Sequence, residues 1–211
     1  FTGFEAKQYI TIKSKQSSIY AKTSEMVNAQ TTTIIKNKNG AYNVLGTIIV
    51  NKKYGLGENY TYKNNQELFD NATNAYKNAA QKDGIYLNIV SRYRSYDVQE
   101  YLYKSYEEKY TNVDTFSAKP GYSEHQTGLA FDLNGEDPRT SVKDKFEFTK
   151  EYEWLRNNAY KYGFILRYPK GKSDITGYKF EPWHYRYVGA NISYKLREGN
   201  ATLEEYLNIC K

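Results

Sequence analysis

The sequence predicts an α+β fold. Stretches with a helical apolar period and stretches with a two-residue strand period are both present. They do not follow the regular strand–helix–strand order of a doubly wound sheet. At 211 residues the chain can bury a core as one domain, or as one domain with an extension.

Taken in order, residues 1–45 are rich in Lys, Thr, Ser and Asn. They carry short β-like stretches at Tyr9–Ile12 and Thr32–Ile35 and read as a strand-rich N-terminal extension. The second unit runs from 46 to 211. It opens on GTIIVNKKYGL, with a buried-type strand from Thr47 to Asn51. Between 65 and 83 the apolar residues Leu68, Phe69, Ala72, Ala75, Tyr76, Ala79 and Ala80 recur at helical spacing, and Gly84 is the stop. Ile85–Ser91 alternates as a strand. Asp97 is placed to cap a helix running to about Tyr110. Residues 112–122 read as loop, with Pro120–Gly121 as a turn. A third helix is expected over 149–162, ending at Gly163. Phe164–Arg167 and Trp183–Val188 are strand-like, and two short helices around 190–197 and 202–209 close the chain.

Composition removes several function classes. The net charge of +6, from 30 basic and 24 acidic residues, favours polyanions such as an anionic cell wall or membrane surface. The basic residues are scattered lysines without a dense arginine run, which does not indicate nucleic acid. The single cysteine, Cys210, excludes an intrachain disulfide and a four-cysteine zinc site and reads as an incidental thiol. No run of about eighteen apolar residues is present, and no signal peptide is visible. Because the chain starts at Phe1 without Met, its ends do not report its location.

The chemistry concentrates around the two histidines. Histidine is the commonest metal ligand, and both copies lie near carboxylates, in SEHQTGLAFD (123–132) and EPWHYRYVG (181–189). If Gly128–Leu133 is a strand, Leu129, Phe131 and Leu133 share a core face. Asp132 then shares the other face with the small residues Gly128 and Ala130. His125 enters that strand from a loop that Gly128 helps to turn back. A surface histidine and a strand-end aspartate would have the same spacing, so the pair alone does not settle a metal site. In Glu181-Pro-Trp-His184 an ideal strand would put Glu181 and His184 on opposite faces, so a bend near Pro182 is required. A core Trp-His strand with a surface glutamate is the alternative.

Together the two segments match a catalytic zinc site, which commonly has three protein ligands and one open position. His125, Asp132 and His184 fill that count. Glu181 is left free as general base, to take a proton from a water whose pKa zinc lowers to about 7. A third segment, SRYRSYDVQ (91–99), joins a strand end to a helix start, where an arginine can grip a carboxylate bidentately. A surface ion pair is the other reading of any one arginine there.

These three segments, in this order, resemble the signature motifs of the VanY-type D-alanyl-D-alanine carboxypeptidases, zinc peptidases that trim bacterial cell-wall stem peptides. GTIIVNKKYGL resembles the segment that opens their catalytic domain, with Gly57 where a proline is expected. The likeness covers about residues 45–192. It implies a central antiparallel sheet with packed helices, the hedgehog/DD-carboxypeptidase-like zinc peptidase fold. It implies one Zn2+ on His125, Asp132 and His184, Glu181 as catalytic base, and substrate contacts from Arg94, Gln99, Ser123 and Trp183. Arg94 is implied as the binder of the terminal carboxylate, and Arg92 receives no role. The implied partner is the peptidoglycan stem peptide, with no nucleic acid and no stable protein partner evident. The implied place is outside the cytoplasm, at the wall or anchored to the membrane through a segment absent from this sequence. Removal of a terminal D-alanine from D-Ala-D-Ala is the leading expectation. An L,D-carboxypeptidase acting on stem tetrapeptide uses the same residues. A non-catalytic zinc-containing module that binds cell-wall peptides is the alternative of another class, and the intact Glu181 argues against it.

Overall fold

Two antiparallel sheets organise the chain in the computed structural model, which describes residues 32–62 and 66–209. The first is a meander of β1 (Ile34–Lys36), β2 (Tyr42–Val44) and β3 (Thr47–Ile49). It spans the 45/46 boundary expected from composition. The second holds β4 (Asn88–Ser91), β5 (Ala130–Asn134), β6 (Phe164–Leu166) and β7 (His184–Tyr187) in the order β4-β5-β7-β6. From Ile34 onward the chain forms one compact unit. Tyr9–Ile12 and Cys210 lie outside the described residues. Among the described residues no helix is long and apolar enough to cross a membrane.

Helix α1 (Gln66–Lys82) buries the stripe Phe69, Thr73, Tyr76 and Ala80 against the four-stranded sheet and ends before Gly84, which takes a positive φ of 71°. Helix α2 (Tyr96–Glu107) starts two residues earlier than a cap at Asp97 would set. Its cap is Ser95, whose hydroxyl accepts from the Val98 N–H at 3.3 Å. The expected helix over 149–162 is α3 (Lys150–Asn158), capped by Thr149 and followed by a 3₁₀ turn to Tyr162. After β6 come α4 (Ser173–Thr176), α5 (Ala190–Gly199) and α6 (Leu203–Tyr206).

Period-two alternation divides the sheet into a core face and a site face. Phe131 and Leu133 of β5 and Tyr185 of β7 point to the core. Phe131 meets Phe69, Tyr76 and Phe164 with ring centroids 4.9 to 5.7 Å apart. A second core joins Val44 and Ile49 of the meander to Leu196, Leu203 and Leu207 of the C-terminal helices.

A buried ionic network runs between these cores. Arg167, after β6, donates from Nε to Glu124 at 2.8 Å and from both terminal nitrogens to Glu204 of α6 at 2.9 and 2.6 Å. Arg186 of β7 donates to the same Glu124 oxygen at 2.7 Å and to the Ile48 carbonyl at 2.7 Å. Asn51 adds a bond to Glu204 at 3.1 Å. Every member is almost fully enclosed, so the charges are tolerable only as a set. Replacing Arg167 with Met leaves two enclosed carboxylates short of countercharge. The variant is expected to lose about 3–5 kcal/mol in urea unfolding, with a loss below about 1 kcal/mol counting against the network's role.

Candidate active site

Three elements aim three side chains at one point. His125 sits in a single 3₁₀ turn, Glu124–Thr127, rather than in an open loop. Gly128 ends that turn at φ 70°, its N–H donating to the His125 carbonyl at 3.2 Å. A Cβ there would come within 2.6 Å of the Tyr62 ring, so only glycine permits both the turn and the contact. Asp132 projects from β5 and stands directly across the ladder from His184, the first residue of β7. The bend required near Pro182 is a tight turn closed by the His184 N–H on the Glu181 carbonyl at 3.1 Å. It brings Glu181 round to the site, with Oε2 3.9 Å from His184 Nδ1.

His125 Nε2 lies 3.3 Å from one Asp132 oxygen, and His184 Nδ1 lies 3.1 Å from the other. The two rings are 5.0 Å apart and nearly perpendicular. One donor atom from each residue falls within 4.8 Å of the others, and all three residues are buried. Two zinc bonds of about 2.1 Å at a tetrahedral angle end about 3.4 Å apart, so the spacing and the donor set fit such an ion. The far ring atoms are also held. His125 Nδ1–H donates to the Arg92 carbonyl at 2.6 Å, which leaves the Nε2 lone pair facing Asp132. His184 Nε2 faces Glu124 Oε2 at 3.4 Å, which directs Nδ1 to the centre.

The local charges separate the titrations. Burial alone would raise Asp132, but the facing histidines outweigh it and hold the carboxyl well below the usual carboxylate range. Glu124 is likewise held far down, because Arg167 and Arg186 overcome its burial. Glu181 goes the other way. Burial, with Asp132 nearby, lifts it to about 7 against the opposing pull of His184. Burial disfavours charge on His184, yet its bonds to Asp132 and Glu124 raise it to about 9. His125 is lowered by burial and by Arg94, so its ring is neutral at pH 7.

The site opens into a cleft of about 420 Å³. Arg94, Ser123 and Trp183 line it with the four residues above. Among the described residues the buried Arg94 Nε has no hydrogen-bond partner and no carboxylate pairs with its guanidinium, while its N–H donates to the His125 carbonyl at 3.3 Å. Ser123 begins the 3₁₀ turn, and its side chain makes no cap bond there. Gln99 is placed differently from the other expected contacts. It is 2% exposed and does not line the cleft. Its amide donates to the Ala118 carbonyl at 2.6 Å and to Ser117 Oγ at 3.3 Å, so it fixes the cleft wall from behind. Arg92 pairs with Asp70 and packs over Phe69, contributing its carbonyl rather than its charge to the site.

Several residues of the site carry no local signal in the sequence. Glu124 is adjacent to His125, but its partners lie 43 and 62 positions away. Tyr168 tilts against His184 at 4.9 Å, Tyr178 packs on Tyr168 at 4.7 Å, and Tyr106, Tyr110 and Phe116 form a separate aromatic wall. The one available signal was the density of tyrosine between 101 and 122 and again at 168–178.

Comparison with known proteins agrees with this geometry. The family model described as VanY, D-alanyl-D-alanine carboxypeptidase, matches residues 62–190. A D-alanyl-D-alanine carboxypeptidase of Enterococcus faecalis is 40% identical over 154 residues, covering 68% of this chain and 52% of that protein. The chain thus spans about half the length of the curated relatives it matches. The LdcB LD-carboxypeptidase structure is 34% identical with a TM-score of 0.73, covering 85% of this chain and 95% of that one. A variant of the vancomycin-resistance D,D-pentapeptidase VanY, solved in complex with Zn(II), is 31% identical with a TM-score of 0.58 over 86% of this chain and 92% of that one. With its fold, its buried His–Asp–His cluster and the match over 62–190 all in agreement, this chain belongs to the VanY family of D-alanyl-D-alanine carboxypeptidases.

Proposed function

We propose that the chain is a zinc-dependent carboxypeptidase that removes the C-terminal D-alanine from peptidoglycan stem peptides, acting outside the cytoplasm. The observation that carries the reading is the convergence of His125, Asp132 and His184 beside a glutamate of pKa about 7, in a cleft shared with an arginine that pairs with no carboxylate among the described residues. His125 Nε2, an Asp132 oxygen and His184 Nδ1 would hold the ion. Zinc bound there supplies a Lewis acid and lowers the pKa of water to about 7.

The protein's own groups do the rest. Glu181 is matched to neutral pH. It accepts a proton from the attacking water and returns it to the leaving amine nitrogen. Arg94, whose guanidinium pairs with no carboxylate among the described residues, binds the free carboxylate of the substrate's last residue. Ser123 contributes a hydroxyl to the same wall. Trp183 closes the floor beside His184 and limits water around the scissile bond. A module that only bound peptide would have no use for a glutamate so tuned.

The similar structures include an enzyme of each linkage type, so substrate choice needs its own test. Zinc-loaded protein incubated with stem pentapeptide and with stem tetrapeptide, and followed by mass, is expected to release one alanine from the pentapeptide. Release from the tetrapeptide alone would move the assignment to L,D-cleavage, and no release from either would end the carboxypeptidase reading. In the same assay Glu181→Ala is expected to lower kcat at least about 10³-fold, a general-base loss at the upper end of its usual range, with one zinc still bound by metal analysis. Retained turnover would remove Glu181 from its role.

Arg94→Met is expected to raise KM by roughly 10- to 100-fold, the size of a lost charged hydrogen-bond pair. On a substrate with an amidated C-terminus the variant and the parent should be equally poor. A larger effect on the amide than on the acid would contradict carboxylate binding.

Metal affinity should depend on pH with a definite sign. His184, raised to about 9, carries a proton on Nδ1 at pH 7 that an ion must displace, whereas the neutral His125 carries none on Nε2. Zinc affinity, measured by competition with a chelator, should therefore rise about tenfold per pH unit between about pH 6 and 8. A flat profile would place the ligand nitrogen elsewhere.

A further inference from the structure

One buried polar atom in the cleft is used by none of the steps above. Tyr178 lines the catalytic cleft, and its hydroxyl oxygen is buried with no hydrogen-bond partner among the described residues. Tyr178 is 3% exposed. Phenol hydroxyls that are enclosed usually find a partner, and an unpartnered one in a residue that lines a cleft is a donor available to a ligand bound there. Burial raises its pKa, so the proton stays on the oxygen throughout the neutral range.

The ring behind that hydroxyl is held with care. One face packs on Tyr168, which in turn leans on His184. The Lys52 ammonium sits 4.0 Å from the ring centroid and also donates to the Asp114 carbonyl. The Lys52 stem passes close over Gly177. A Cβ on Gly177, whose φ is 80°, would lie 2.6 Å from Lys52 Cγ. A cation against a phenol ring draws electron density toward itself and strengthens the O–H as a donor.

We propose that Tyr178 is a further catalytic residue, donating its hydroxyl hydrogen to the scissile carbonyl oxygen as negative charge develops there, and that Lys52 is a positioning residue that holds and polarises the Tyr178 ring. This rests on the carboxypeptidase reading above. In the step concerned, the water oxygen bonds to the carbonyl carbon and its proton passes to Glu181. The π pair of the carbonyl moves onto its oxygen, where the Tyr178 hydroxyl meets it. When the carbon–nitrogen bond breaks, that pair re-forms the carbonyl and the proton on Glu181 goes to the departing amine. Tyr178 gives a hydrogen bond throughout and loses no proton. Such a donor, fixed before the charge appears, favours the transition state over the bound substrate.

The test uses zinc-loaded protein, stem pentapeptide, and a phosphinate analogue of D-Ala-D-Ala whose tetrahedral phosphorus replaces the scissile carbonyl. Tyr178→Phe keeps the ring and removes an oxygen that has no partner, so its thermal unfolding should match the parent. Its kcat is expected to fall roughly 100-fold with KM within about twofold, and its phosphinate affinity should weaken by the same factor as kcat/KM. Lys52→Met should lower kcat about fivefold, the fold-change of one cation–π contact. It should have no further effect in the Tyr178→Phe background, because it acts through that ring. Unchanged kcat and phosphinate affinity in Tyr178→Phe would overturn the catalytic role, and independent, multiplying losses in the double variant would overturn the role of Lys52. A parent protein that binds zinc but neither hydrolyses the peptide nor binds the phosphinate would instead defeat the underlying carboxypeptidase reading.

Discussion

The register of β5 against β7 is the constraint on which the rest of the structure depends. It pairs Phe131 with Tyr185 and Asp132 with His184. The first pair belongs to the aromatic core and the second to the buried His–Asp–His cluster that could hold a metal, on opposite faces of the same two strands. A slip of one residue would send the phenyl ring into the cleft and the aspartate into the core. The core therefore fixes the site. Phe131 is locked among Phe69, Tyr76 and Phe164, and that packing holds Asp132 in place without a dedicated contact. β4 and β6 flank the pair, so the ladder that sets the register lies in the middle of the sheet.

The third member of that cluster is positioned by charge rather than by the ladder. His125 belongs to a single 3₁₀ turn, too short to hold its own geometry. Glu124, in that turn, accepts from Arg167 and Arg186 and also faces His184 Nε2. One carboxylate thus fixes the turn that carries His125 and selects the ring nitrogen His184 presents. Its ionisation is secured by two arginines that Glu204 and the Ile48 carbonyl hold from behind. The C-terminal helix α6 and strand β3, distant in sequence from the motifs, reach the site through this network.

This division explains what the sequence made legible. Asp132 could be placed because strand alternation is local, and Leu129, Phe131 and Leu133 announce the core face. The need for a bend at Pro182 was equally local, and the turn from Glu181 to His184 meets it. Helix α1 followed from its apolar stripe. The cap of α2 was misplaced because Ser95 and Asp97 are both good caps, and only the backbone decides between them. Gln99 was assigned to substrate on the strength of its motif. In the fold, α2 turns it toward Ser117 and Ala118, which no local pattern reveals. Glu124 and Tyr178 stayed unassigned for the same reason, since their meaning comes from partners far along the chain.

Glu181 is the residue whose placement packing explains least. In the metal-free chain its pKa rises from 4.5 to about 7 on folding. A carboxylic acid with a raised folded pKa is favoured in the fold while protonated. That advantage is complete below the unfolded value and is lost as pH climbs through the folded one. At pH 7 and above, the shift costs the metal-free fold on the order of 3 kcal/mol. A neutral amide in the same place would avoid that penalty, so packing gives no reason for an acid there. Asp132, in the same cleft, is held ionised by its two histidines. Two carboxyl groups with pKa values driven apart in this way are suited to different work, one as an ionised donor and the other as a proton carrier, which is the division the proposed mechanism uses. The fold bears the cost at Glu181, and an ion bound by the His125–Asp132–His184 cluster, as proposed, would return stability to it.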